Sequence, residues 1–183
     1  MQPKPIFATM SDFKPVLKIL LRFVLIYIAL LLLYQLYLNT QSGLDSVSMW
    51  VGKQVVAVQN FLGYESKLIP DHRYETAYFQ VNGKKPTRMV EGCNAISVMI
   101  LFLAFVFAFY KGRKTFVFAL ISLVILHIMN VLRIAGLNLM YFQGEKYFKI
   151  GHDYLFPAVI YGSVVILWLV WIKVFVLKDE KAF

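Results

Sequence analysis

The sequence has a single cysteine, Cys93, so no disulfide can form within the chain. Acidic residues are scarce, ten in all, and there are three histidines, His72, His127 and His152. Those histidines and the lone thiol lack metal-ligand spacing, and no cofactor is expected. There is no glycine-rich phosphate loop, and no serine stands in a nucleophile-elbow pattern, so P-loop nucleotide chemistry and α/β-hydrolase chemistry lack their signatures. Charged residues of both signs make up only 16%, against about 25% in soluble domains. What fills the chain instead is apolar: 60% of 183 residues. That excess has no place in water and suits a lipid bilayer. The formal charge of +9 would suit nucleic acid, but the basic residues cluster beside apolar runs, where they orient a membrane protein. A nucleic-acid partner is therefore excluded.

The length implies one domain, 1–183, of all-α polytopic membrane class with about four transmembrane helices, at about 16–38, 95–110, 115–134 and 155–173. The first run follows Lys14 like the charged start of a signal peptide. It is longer than a signal core and lacks a clean small-residue cleavage site, so it reads as a retained anchor. Between it and the second run lies a mixed connection, 39–92. There, Val47, Trp50, Val51, Val55, Val58 and Leu62 fall on a helical face, which predicts an interfacial amphipathic helix. Residues 74–81 partly alternate, Asn82-Gly83 signals a turn, and 87–90 can return as the second arm of a short β-hairpin. After Arg133 the chain stays apolar to Phe142, which reads as a tilted continuation or a short interfacial helix.

Ten of the nineteen Lys and Arg lie in residues 1–22, 111–114 and 173–183. The positive-inside rule puts those segments in the cytoplasm and the connections 39–92 and 133–154 outside. The expected location is the cytoplasmic (inner) membrane of a prokaryote, multi-pass, with both termini cytoplasmic. A helix rises about 1.5 Å per residue, so roughly 20 residues cross the hydrocarbon. Cys93 lies 18 residues before Lys111, Arg133 lies 19 after Lys114, and His152 lies 21 before Lys173. A thiol, a guanidinium and an imidazole thus reach one depth, the outer membrane–water boundary, from three helices.

Taken singly, each has an ordinary reading: a small filler, a snorkelling Arg, a solvated His. Together they make a cysteine acyl-transfer site. A neighbouring cation or a helix N-terminus favours the thiolate, and Cys93 is expected at the start of its helix with Asn94 as N-cap. His152 can move protons between leaving amine and acceptor, and Arg133 can stabilise thiolate or oxyanion. Asn130, one turn before Arg133, can orient it. His127 lies within the membrane run, an ionisable position that is a functional candidate by default, although bonding to a facing helix is its simpler reading. His72 sits in a polar loop and takes no role.

Three segments carry a family resemblance: Glu-Gly-Cys-Asn-Ala at 91–95, Asn-Val-Leu-Arg at 130–133 and Gly-His-Asp at 151–153. In their order against the apolar runs, the chain resembles the exosortase/archaeosortase membrane transpeptidases, most closely the small exosortase F-like members. The resemblance implies a nucleophile at Cys93, the family's arginine at Arg133 and its third basic residue at His152. It implies a membrane-embedded cysteine protease/transpeptidase whose partner is an exported protein bearing a C-terminal motif, a transmembrane helix and a basic tail. The product would pass through a thioester to a surface acceptor. Two other classes fit the composition. One is a non-catalytic accessory subunit of an export or assembly system, with Cys93 as filler. The other is a small transporter subunit whose path is lined by Arg133 and His127. The oligomeric state, the recognition motif and the acceptor are not encoded in any pattern seen.

Overall fold

A computed structural model describes residues 10–177 apart from 72 and 75; the position of His72 therefore lies outside the described residues. Six α-helices and one small sheet follow in the order α1 (Met10–Leu38), α2 (Ser46–Phe61), β1 (Ser66–Asp71), β2 (Thr76–Val81), β3 (Arg88–Met89), α3 (Ile96–Ala108), α4 (Arg113–Met140), α5 (Glu145–Ile150) and α6 (Phe156–Trp171). Among the described residues, three helical stretches are long and apolar enough to cross a membrane: Phe13–Leu38, Arg113–Met140 and Lys146–Val176. The all-α polytopic class holds, and the protein is a multi-pass membrane protein.

The exposed surface of these helices is what lipid requires. α1 packs on α3 alone among the helices it contacts closely, and Leu20, Leu25, Leu32 and Leu36 stand exposed around it. A helix apolar on all sides has no stable place in water. On α4, Val117, Leu120, Ile121, Val124 and Ile128 are exposed in the same way. The fourth apolar helix, α3, has only 13 residues, about 20 Å of rise. It is the centre of the bundle, packed against α1, α4 and α6. Its Phe102 and Val106 meet Leu126 of α4 and Val164 and Trp171 of α6.

A second core caps one end of this bundle. Val51 and Val55 of α2, Ala77, Phe79 and Val81 of β2, and Met89 of β3 pack with Val131, Ile134 and Ala135 of α4. The expected amphipathic helix exists, but its buried face lies on this protein core. Trp50 and Leu62, on the same expected face, remain exposed. α4 runs unbroken to Met140, past the membrane span's expected end at 134 and as the continuation that the apolar stretch to Phe142 allowed; its last turns are covered by the cap. Hydropathy cannot tell burial by protein from burial by lipid.

The sheet is antiparallel in the order β1-β2-β3. The expected pairing of β2 with 87–90 is present, with Ala77 opposite Met89 and Tyr78 opposite Arg88. Its main partner, however, is β1, which the sequence reading left out. The expected helix from 155 also begins earlier. α5 leads through a wide turn, Gly151–Leu155, straight into α6. Pro157, in the first turn of α6, cannot donate to the carbonyl four residues back. In the turn before it, the Phe156 N–H donates to the Gly151 carbonyl five residues away. His152 and Asp153 sit in that widened turn.

Candidate active site

The chain reaches Cys93 out of β3. Cys93 lies in a tight turn of its own, Glu91–Asn94, where its N–H donates to the Val90 carbonyl at 2.9 Å. The helix proper starts at Ile96, after Ala95 in the left-handed region (φ 61°). The expectation that Cys93 opens the membrane helix is therefore corrected: two residues, Asn94 and Ala95, and a reversal of backbone hand separate it from Ile96. Asn94 is not the cap residue itself, but its Oδ1 accepts from the Ile96 N–H at 2.9 Å. Its Nδ2 donates to Tyr34 Oη of α1 and to Ser48 Oγ of α2, each at 3.0 Å. A fully buried amide thus ties the cysteine turn to two helices.

The other side of the turn is held from α4. Asn130, wholly buried, donates from Nδ2 to the Cys93 carbonyl at 2.9 Å. Its Oδ1 accepts from Arg133 Nη1 at 3.3 Å. One side chain therefore contacts both the cysteine turn and the guanidinium. Arg133 Nε is buried and has no acceptor among the described residues. An unmade bond at a buried donor costs about 1–3 kcal/mol, so this N–H is an open valence beside the site.

His152 comes from the wide turn before α6. Its Nδ1–H donates to Asp153 Oδ1 at 2.8 Å, which leaves Nε2 for other partners. The ring also stacks on Phe148 of α5, with centroids 6.2 Å apart. Close packing seats the turn: a Cβ at Gly151 would stand 2.8 Å from Met140 Sδ and 3.1 Å from the Phe156 ring, and a Cβ at Gly136 would meet the same ring.

Cys93, Arg133 and His152 line one cavity of about 270 Å³, together with Pro86, Thr87 and Arg88 of the sheet segment and Phe148 of α5. It lies between the sheet segment, the cysteine turn, α4 and the α5 side of the wide turn, against Ile134 of the cap core. A half-buried thiol, a permanent cation and an imidazole with one nitrogen spoken for by a carboxylate are the parts that nucleophilic acyl transfer uses.

The transmembrane exosortase family model matches residues 8–176. The chain belongs to the transmembrane exosortase family. Neither the curated proteins nor the solved structures contain a match to it. Membership gives this exosortase a membrane-embedded, sortase-like transpeptidase role in general terms, with exported proteins as the implied substrates.

The remaining candidates fall outside the cavity lining. His127 Nε2 is hydrogen-bonded to Gln54 Oε1 of α2 at 2.8 Å, and its ring stacks on Trp50 at 4.7 Å; it does not line the cavity of Cys93. That is the helix-bonded arrangement its position suggested. Three neighbours of the site were given no role from the sequence: Asp153, Thr87, and Asn138, which accepts from the Thr87 hydroxyl. Asp153 was in view as the neighbour of His152. Adjacent residues on a regular helix do not face each other; this pair meets within the widened turn. Nothing local in the sequence marks that turn.

Proposed function

We propose that this exosortase is a cysteine peptidase/transpeptidase that cleaves the C-terminal sorting signals of exported proteins and transfers them to a surface acceptor. Cys93, Arg133 and His152 are its catalytic residues, and Asn130 is their support. The reading rests above all on one observation: three side chains from three separate elements, each selected by its depth in the sequence, line the same cavity. The chain sits in the cytoplasmic membrane of a prokaryote with both termini inside and the cavity at the outer face. There the scissile peptide of a signal followed by a membrane helix would emerge.

In this mechanism His152 takes the Cys93 proton through Nε2, while Asp153 accepts from Nδ1–H and fixes the ring. The thiolate adds to the scissile carbonyl, and Arg133 stabilises the oxyanion through its guanidinium charge. The C–N bond breaks as His152 returns its proton to the departing amine, which leaves with the membrane helix and basic tail. The thioester on Cys93 is then attacked by an acceptor amine or hydroxyl of a lipid or surface polymer. His152 removes the acceptor's proton, and the thiolate is released.

The test is processing of a co-expressed substrate with the tripartite signal, at matched enzyme abundance in the membrane. Groups that act as a unit are grossly non-additive. Cys93→Ala alone is expected to cost nearly as much as Cys93→Ala combined with Arg133→Ala and His152→Ala. Normal processing by Cys93→Ala would overturn the cysteine mechanism and favour an accessory subunit. Loss with Cys93→Ala but normal processing with His152→Ala would leave the nucleophile standing and take the acid/base role from His152.

A further inference from the structure

The cavity is bordered by Pro86, Thr87 and Arg88 in succession. Side chains alternate along an extended strand, so three consecutive residues cannot all present their side chains to one space. The cavity lies along the strand's edge. The same three residues also border an adjoining cavity with Asp71, Tyr78 and Lys85, which lies over the outer face of the sheet, the face that carries the Arg88 side chain.

The ladder fixes which main-chain groups face that edge. The Phe79 N–H donates to the Thr87 carbonyl at 3.0 Å, and the register continues with Tyr78 opposite Arg88 and Ala77 opposite Met89. Partners in an antiparallel pair alternate between bonded and non-bonded. Thr87 and Met89 therefore spend their groups on β2, and Arg88 turns its N–H and C=O away from the sheet. No hydrogen bond to either group occurs among the described residues. The Arg88 side chain is held off the edge, 3.5 Å from Asp71 and over the Tyr74 ring at 4.9 Å. Val90 continues extended (φ −127°, ψ 162°), and its carbonyl is taken by the Cys93 N–H. Pro86 has no N–H to offer. What remains is a short pairing edge that ends at the cysteine turn.

We propose that the substrate's segment beside its scissile bond binds as an added β-strand on the β3 edge, pairing with the Arg88 N–H and C=O. Such strand addition takes its affinity from main-chain bonds and leaves side-chain choice to flanking pockets. It also holds the peptide extended, the form in which the scissile carbonyl is open to a thiolate. The inference builds on the reading of Cys93 as nucleophile, but it can fail separately.

The probe is an acetylated alanine–valine pentapeptide ending in a vinyl sulfone, presented to the full chain in detergent micelles. Labelling of Cys93 is followed by mass spectrometry. The peptide is made with a single N-methyl group at each position in turn. Strand pairing predicts that methylation at one position, the residue whose N–H meets the Arg88 carbonyl, slows labelling about tenfold, the equivalent of losing one hydrogen bond, while the other positions are little affected. In Arg88→Pro, which deletes the outward N–H, the unmethylated peptide is expected to label slowly and the penalty of that one methyl group to shrink. The methyl scan on the unaltered chain stands even if that variant does not fold. Labelling that ignores the methyl position, or a peptide no faster than iodoacetamide, would overturn the strand edge. Normal substrate processing by Cys93→Ala would instead overturn the parent reading while the scan still reported on pairing.

Discussion

Replacing Asn130 with Leu probes the joint between the cysteine turn and the guanidinium. Asn130 is wholly buried and spends its amide on the Cys93 carbonyl at 2.9 Å and its Oδ1 on Arg133 at 3.3 Å. Leu approximates its shape, so little cavity is created, and what is lost is two bonds. The first loss leaves a part-buried carbonyl with a vacated acceptor site, worth about 1–3 kcal/mol, and the second, longer bond adds about 0.5–1 kcal/mol. A destabilisation of roughly 2–3 kcal/mol follows, or a fall of about 5–10 °C in Tm for a chain of this size. Displacing a nucleophile by about 1 Å can cost 100-fold in rate, so substrate processing is expected to fall about 10- to 100-fold. That is a smaller loss than for Arg133→Ala, because an amide can orient a guanidinium but cannot replace it. Asn130→Asp separates the two bonds. It keeps an acceptor for Arg133 and removes the donor to Cys93, so processing is expected to fall about tenfold with the Arg contact intact. Detergent-solubilised Tm and processing in cells, at matched abundance, read both effects. Asn130→Leu with Tm within about 1 °C and processing within about twofold of the unaltered protein would refute the reasoning.

Three further outcomes follow from the same geometry. A membrane-impermeant thiol reagent applied to intact cells is expected to label Cys93, the only thiol. Labelling seen only after permeabilisation would contradict the proposed orientation. Arg133→Lys keeps the charge but loses the planar fork, so processing is expected to drop about 100-fold or more; near-normal processing would remove Arg133 from oxyanion binding. Asp153→Asn keeps the size of the Nδ1 partner but loses its charge, and processing is expected to fall about tenfold, less than for His152→Ala. An Asp153→Asn loss as deep as that of His152→Ala would make the carboxylate a principal group.

Composition and apolar runs carried most of the bundle. α1 and the membrane part of α4 could be read because lipid demands long apolar stretches and tolerates few charges. What stayed hidden depended on tertiary cover. The last turns of α4 are apolar because the cap buries them, a fact that a hydropathy run cannot separate from lipid. β1 was missed because Pro70 argues against a strand, and it is accommodated only because β1 is an edge. The break at Ala95 gave no warning, since alanine has no preference for positive φ. At the site, depth counted from the cytoplasmic charges selected Cys93, Arg133 and His152, which do line one cavity. The lateral partners, Asn94 with Tyr34 and Ser48, or Thr87 with Asn138, are separated by 46 to 60 residues and follow no local pattern. His152 and Asp153 were adjacent in plain view, but nothing local in the sequence marks the wide turn Gly151–Leu155 in which they meet.

The central claim is that Cys93 carries the acyl group, and trapping that intermediate tests it most directly. The enzyme and its tripartite-signal substrate are co-expressed, quenched in acid and examined by intact-protein mass spectrometry. The account predicts an adduct on Cys93 with the mass of the substrate's N-terminal fragment, released by neutral hydroxylamine and absent in Cys93→Ser. Substrate cleaved normally by Cys93→Ser, with no hydroxylamine-labile adduct on the unaltered chain, would contradict it.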